Sequence, residues 1–523
     1  MELPESGSGS GFLTPGSRPP GEKTGFVLAV LFLYCIVELT GLAFHELWSD
    51  EIHAWALVTG SNSLAELLGN KIYEGHPDLW FLVLYGLKLI SRDPAVMMIF
   101  HSMVAIATVF LLLRYSPFTR IQKILLVFGY YFLFEYAVIS RNYAIEVLFL
   151  ILFLIFYKDR DRKFLRMAIL LFLMMQTNVY GIMLAAALTG AMAFEAGYSP
   201  PFRRALLSRR IALALSLLIL AAGFAWSILS VLPQKDSYIT APLPFGAITL
   251  QNFLNSVGTV WCGIFPLPDP VYHFWNTNIV HSVIARALLS VAVLVSLTVL
   301  FRKRPVVLFL FSAASFGMLF FIFDFYTGLL RHHGHFFLLL IACLWIRPEY
   351  ADRSIRLLPH FFEIYHRFLA KHLRLIVTIL FFLHAVAGIF CLTMQVRYPF
   401  DAGRRTAEYI RGSGLDRFLV AGDWDWSAGA VAGHLEKGIY FLARDTAGTY
   451  VVLNNRRRDL SPDGIIRKTD SLAATGNDPV VLVLNYRLPQ PLPERYRMKA
   501  AFTNSIYPSE KFFVYLVSPR GLP

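Results

Sequence analysis

The feature that most constrains this chain is a succession of apolar stretches, most of them near the roughly 17 to 25 residues a helix needs to cross the hydrocarbon core of a bilayer. They fall at about 25–45, 95–113, 124–139, 143–157, two within 167–197 split at 176–181, 211–231, 280–302, 305–323, one ending at Arg347, and 375–396. About eleven crossings make the fold class a polytopic α-helical membrane protein. A chain of 523 residues with 56% hydrophobic residues is not a string of soluble domains.

The formal net charge of +13 could suggest a nucleic-acid partner. Its distribution argues otherwise. Lys and Arg gather in alternate connections, such as Arg114, Arg120 and Lys123, then Lys158 to Arg166, then Arg203 to Arg210, then Arg302 to Arg304, while the intervening connections are nearly free of them. That alternation is an orientation signal, so the amino terminus is expected inside and the carboxy terminus outside. No nucleic acid is expected as a partner. Residues 1–24, rich in Gly, Ser and Pro, read as a disordered cytoplasmic tail ahead of an uncleaved first span. Of four cysteines, Cys35, Cys343 and Cys391 lie in apolar segments and only Cys262 in a loop, so neither a disulfide nor a CxxC metal spacing is expected.

The organisation that follows is a transmembrane unit over 25–396, with a large first outer loop at 46–94, and a small soluble α/β domain over 397–523. Within the first loop, 79–90 is apolar but too short to span, and suits an interfacial helix. The region 232–279 reads as a second long loop. In the last domain, 418–421, 450–453, 480–485 and 512–517 read as strands, with helices near 406–411 and 427–435. No phosphate-binding glycine loop occurs there.

On this topology the outer face collects an unusual set of side chains: Asp50, Glu51 and His53; His76 and Asp78; Glu135, Arg141 and Tyr143; Asn178 and Tyr180; Asp324, Arg331, His332, His333 and His335. Any one of them also fits a solvated residue at a membrane interface. Delivered to one side by different segments, carboxylates and cations together are what a site for an anionic, membrane-bound substrate requires. A carboxylate there can act as general base on an acceptor hydroxyl, or bind a divalent cation such as Mg or Mn, for which Asp50 and Glu51 are the candidate ligands. Arg141 and Arg331 can grip phosphate with a planar fork. Three crowded histidines with little carboxylate support are a poor zinc site. Because phosphate is already a good leaving group, glycosyl transfer from a lipid-phosphate sugar needs a base and cations, with no obligatory second acid.

Taken in order, Asp50-Glu51 at the head of the first outer loop, Glu74-Gly75-His76-Pro77 before a juxtamembrane helix, Ser140-Arg141-Asn142-Tyr143-Ala144, Thr177-Asn178-Val179-Tyr180-Gly181 and a basic turn at Arg331 resemble an integral-membrane glycosyltransferase of the GT-C fold, the superfamily of protein O-mannosyltransferases and lipid A aminoarabinose transferases. Two departures stand out: Asp78 replaces a common second proline, and Ala95-Val96-Met97-Met98 lacks an arginine that many relatives carry, leaving Arg92 or Arg141 to supply that charge. The resemblance implies an inverting transferase of a bacterial inner membrane. It would move a sugar from a polyprenyl phosphate, such as undecaprenyl phosphate, to an extracytoplasmic glycolipid, polysaccharide or protein. Asp50 is then the expected base and Glu51 a positioning or cation-binding group. Arg141, Arg331, His332 and His333 are expected on the donor phosphate, and His53, His76, Asp78, Tyr143, Asn178 and Tyr180 as substrate-positioning residues. The alternatives are a glycan ligase using a polyprenyl-diphosphate donor and a transporter or lipid flippase.

Overall fold

The computed structural model describes residues 22–237, 249–353, 360–423, 425–476 and 478–519. The expected tail therefore lies, up to residue 21, outside the described residues. The chain begins with α1 (Thr24–Ala43), followed by three short helices in the first loop, α2 (Ser49–Gly60), α3 (Leu64–Lys71) and α4 (Leu79–Lys88). The bundle continues through α5 (Ala95–Tyr115), α6 (Arg120–Val127), a π-helical turn (Tyr130–Glu135), α7 (Tyr143–Phe156), α8 (Arg160–Met175), α9 (Val179–Tyr198), α10 (Pro200–Leu207) and α11 (Arg210–Val231). Then come α12 (Leu250–Ile264), α13 (Val283–Phe301), α14 (Pro305–Asp324), α15 (Leu330–Ile346) and α16 (His360–Arg397).

Seven of these helices, α1, α5, α9, α11, α13, α14 and α16, are long and apolar enough to cross a membrane on their own. The expected segments at 143–157, 167–175 and before Arg347 are helices of 14, 16 and 17 residues. The segment expected at 124–139 is instead α6 and the π turn, broken at Gly129. The apolar stretch 79–90 is the short helix α4, its Trp80, Phe81 and Leu84 buried.

One long loop was expected at 232–279, and there the structure differs. Its centre is α12, whose polar Gln251, Asn252 and Asn255 hid it from an apolar count, and which packs against α13 and α15. Gly263 permits that approach, because a Cβ there would sit 2.0 Å from the His333 carbonyl oxygen. Cys262 is consequently a buried helix residue, and all four cysteines are free.

After α16 the chain forms a mixed sheet flanked by α17 (Gly403–Gly412), α18 (Asp425–Leu435) and α19 (Pro462–Thr475). Its strands are β1 (Leu419–Gly422), β2 (Ile439–Phe441), β3 (Thr446–Gly448), β4 (Val480–Leu484), β5 (Tyr496–Phe502) and β6 (Phe512–Val517), in the order β3-β2-β1-β4-β6-β5. β1 pairs in parallel with β2 and β4, and the outer pairings are antiparallel. The run 450–453, expected as a strand, is not one; the neighbouring β3, and with it β2 and β5, are the strands whose short or alternating patterns gave little signal. The unit sits on the loop helices: Ile52 of α2 packs against Gly433 of α18, where a Cβ would meet it at 2.4 Å, and His434 Nε2 lies 3.3 Å from the Leu47 carbonyl oxygen.

Candidate active site

Helix α2 starts where it does because Glu51, at its third position, accepts a hydrogen bond from the Trp48 N–H at 3.1 Å, satisfying one of the orphan donors of a helix amino end. Two carboxylates in the first turn also complement the helix dipole. Successive residues on a helix point about 100° apart. Asp50 and Glu51 thus enter different surroundings.

Asp50 faces two arginines. Arg331, at the start of α15, places Nη2 2.9 Å from Asp50 Oδ2, and Arg141, in the turn before α7, reaches the same oxygen at 3.5 Å while donating from Nη1 to the Asp50 carbonyl oxygen at 2.7 Å. Charge pairing in a water-poor pocket is strong only when further bonds orient the ions. Here the backbone bond from Arg141 does so, and Arg331 is clamped by its carbonyl oxygen, which accepts from the Tyr136 hydroxyl at 2.6 Å. The Arg331 guanidinium also lies over Trp48 at 5.0 Å and Trp275 at 5.8 Å, an aromatic seat for a cation. Trp48 and Trp275 meet edge to face, and Tyr507 of the terminal unit packs edge-on against both. Trp275 is fixed in turn by donating from Nε1 to Glu135 Oε2 at 3.0 Å.

These arginines have more donors than partners. Arg141 Nε, Arg331 Nε and Arg331 Nη1 are buried without a hydrogen bond, as is His76 Nδ1. Arg141 Nη2 lies 3.4 Å from His76 Nε2, so the imidazole accepts there and its proton sits on the unpartnered Nδ1. Burial, together with the charges of Arg141, Arg331 and Lys71, pushes the His76 pKa down to about 3. His76 is neutral at physiological pH. The Tyr143 hydroxyl, which faces Arg331, and the Tyr180 hydroxyl likewise complete no hydrogen bond in the buried space. His332 accepts the Leu329 N–H on Nδ1 at 2.8 Å, which leaves Nε2 as its donor in the neutral ring, and its ring meets Tyr143 and Tyr326 edge-on. Buried unpaired donors are uncommon enough in folded proteins that a concentration of them calls for an occupant. The donor set here fits an anion.

The remaining expected residues are spread around this cluster. Glu51 is fully buried, its Oε2 taken by His45 Nε2 at 2.8 Å and the Trp48 N–H, its Oε1 by the Ser140 N–H at 2.5 Å. His53 stacks on Trp426 and bonds Glu74 Oε1 at 3.0 Å; burial lowers its pKa, but the Glu74 carboxylate, aided by Asp50, raises it overall. Asp78 pairs with buried Lys71 and accepts from Trp226 Nε1 at 2.7 Å, tying α4 to α11. Asn178 caps α9 by accepting the Gly181 N–H at 3.0 Å and donates to Glu146 Oε2 at 2.5 Å. His335 Nε2 meets the same Glu146 oxygen at 2.9 Å, and Tyr180 stacks on the His335 ring. His333 turns away, toward the Thr327 carbonyl oxygen at 2.8 Å. Arg92 is exposed, and Arg141 is the one of the two that reaches the cluster.

Sequence reasoning passed over Trp275, Tyr326, Glu146 and Lys71. Trp275 and Lys71 lie in the two long connections, where an isolated aromatic or lysine carries no periodic signal; Glu146, a charge inside an apolar segment, is the one whose position could have singled it out. Among the described residues no group of three or more His, Cys, Asp or Glu side chains is arranged to hold a metal. A divalent cation would find two carboxylates here, one engaged with guanidinium groups and the other saturated by donors, a set that does not fit it.

No family model matches the chain, and no curated protein matches it. Among solved structures, the crystal structure of ArnT from Cupriavidus metallidurans bound to undecaprenyl phosphate is similar over 94% of this chain and 98% of that one, with a TM-score of 0.50 and 12% sequence identity. The likeness establishes the fold. The chain has the GT-C fold of that structure, with seven helices among the described residues long and apolar enough to cross a membrane, and a small carboxy-terminal sheet domain.

Proposed function

We propose that the chain is an inverting glycosyltransferase of a bacterial inner membrane, moving a sugar from a polyprenyl phosphate to an acceptor on the extracytoplasmic face. The observation that carries this reading is the Asp50 carboxylate between Arg141 and Arg331, ringed by buried donors with nothing to bind. ArnT binds undecaprenyl phosphate, and the same class of carrier suits this cluster. An arriving donor phosphate competes with Asp50 for the two guanidiniums. As they turn to the phosphate, with His76 Nδ1 and His332 Nε2 as neutral donors, Asp50 loses its counter-ions and becomes the better base. The acceptor hydroxyl then gives its proton to Asp50 and its oxygen attacks the anomeric carbon. The bond from that carbon to the phosphate oxygen breaks, and the electron pair leaves on the polyprenyl phosphate, stabilised by the arginines.

Asp50→Asn keeps the side-chain shape and removes the base. We expect transfer to fall by about 10³-fold, with expression, thermal stability and carrier-phosphate binding preserved. Turnover within about tenfold of wild type in that variant would remove Asp50 from the chemistry. Because two arginines can hold the donor charge, transfer is expected to persist in chelator; strict dependence on added Mg or Mn would restore the cation to the reaction.

A further inference from the structure

A polar cavity of about 150 Å³, lined by none of Asp50, Arg141, Arg331 and His76, lies beyond the carboxy end of α1. Its walls come from the carboxy end of α1, the carboxy end of α16 and the first turn of α17, and include His45, Glu46, Arg397, Tyr398, Arg404 and Arg405. Three arginines therefore face one carboxylate. Glu46 engages Arg405 Nε through Oε1 at 3.2 Å, and its Oε2 is buried without a partner. Arg397 and Arg404 have no carboxylate within ion-pair reach among the described residues. His45, 3% exposed, also lines the cavity, but its Nε2 donates to Glu51 Oε2, so its buried Nδ1 is an acceptor in the neutral ring and no ligand for an anion. The cavity thus presents two exposed guanidiniums with no carboxylate partner beside a third that already holds Glu46, an excess of positive charge suited to phosphate.

What adjoins the cavity decides the source of that phosphate. Phe44 and Val396 on its rim are 52% and 38% exposed, and below them the outward faces of α1 (Phe32, Ile36, Leu39) and α16 (Phe382, Val386, Ile389) are exposed apolar surface on helices long enough to span a membrane. A free anion would gain nothing from that surface. A lipid would place acyl chains along it while its headgroup entered the cavity.

We propose that the cavity between α1, α16 and α17 is a binding site for the phosphate of an anionic membrane lipid, with Arg397 and Arg404 as its principal ligands. The site is separate from the transfer reaction and does not depend on it, although His45 joins the two regions by holding Glu51 Oε2 at 2.8 Å. Occupancy would brace the junction where the terminal domain meets the bundle.

The test is native mass spectrometry of the full chain, purified in detergent and offered phosphatidylglycerol or phosphatidylcholine. We expect phosphatidylglycerol to be retained about tenfold more strongly. R397Q/R404Q should erase that preference, R397K/R404K should keep part of it, and R417Q/R497Q, which removes the same charge elsewhere on the terminal domain, should leave it intact. Thermal unfolding would confirm that each variant is folded. Equal retention of the two lipids, an unchanged preference in R397Q/R404Q, or an equal loss in R417Q/R497Q would each overturn the proposal. So would displacement of the lipid by inorganic phosphate at about 10 mM, which would mark a site for free anions.

Discussion

Asp50 and Glu51 are adjacent in sequence, yet the regions they enter are opposites. Around Asp50 the donors outnumber the acceptors, so that Arg141 Nε, Arg331 Nε, Arg331 Nη1 and His76 Nδ1 are left without partners. Around Glu51 the count closes: both oxygens accept, from a histidine and two backbone N–H groups drawn from the first loop and the turn before α7. A buried cation cluster with spare donors has energy to gain from an incoming anion, whereas a saturated carboxylate has energy only to lose by being disturbed. The difference separates a place built to bind from a place built to hold.

The sharpest way to break this comparison is at Arg331. Lysine keeps the charge but gives up the planar fork and the stacking over Trp48 and Trp275. R331K is expected to lower kcat/KM by about 10²-fold, measured with a polyprenyl-phosphate donor, while the melting temperature changes little. A variant with near-normal turnover would show that charge alone suffices and that the aromatic seat is only packing.

Glu51 should fail in the other way. Glu51→Gln puts an amide NH₂ where an oxygen now accepts, against the Trp48 or Ser140 N–H, and costs about 3 kcal/mol. Thermal unfolding should register that loss, while the protein that remains folded transfers within about threefold of wild type. If turnover vanished with the melting temperature unchanged, Glu51 would belong with Asp50, and the contrast between the two would be lost.

Much of the Asp50 region was legible in the sequence, and for a physical reason. Charges at the ends of apolar segments are costly, so Asp50, Arg141 and Arg331 stood out, and a shared side of the membrane was enough to group them. Their convergence in the structure joins residues as far apart as 50 and 331. The Glu51 region was not legible, because its partners are backbone N–H groups, which every residue possesses and no motif advertises. His333 stands apart because successive residues on α15 point about 100° apart: Arg331 and His332 face the cluster, while His333 turns to the Thr327 carbonyl oxygen. Trp275 and α12 were hidden in a connection whose polar residues fell below any count of apolar length. The seven longest apolar helices were clear from the same count, while the four shorter segments are a helix broken at Gly129 and helices of 14, 16 and 17 residues.

The smallest effect concerns pH. His76 sits beside the arginines with its pKa lowered to about 3 from an ordinary 6.5, so the folded protein binds fewer protons than the unfolded chain. The stability this represents is present above 6.5 and is lost as pH falls toward 3. Between pH 6.5 and about 5 the loss amounts to about 2 kcal/mol. His53, across the same loop, has the opposite sign: its raised pKa contributes stability that is complete below 6.5 and disappears only above, so it does not offset the loss in that window. His434, held down to about 4 mainly by burial, adds to the acid sensitivity from the terminal domain. Melting curves of wild type and His76→Gln at pH 7 and about pH 5 separate these contributions, since the substitution should flatten the His76 share and leave the rest. Donor binding sharpens the result further. An anion among the arginines offsets the charge that keeps His76 neutral, so a bound polyprenyl phosphate should shrink the acid loss in wild type and leave the His76→Gln curve unchanged; an acid loss indifferent to donor would place the phosphate elsewhere.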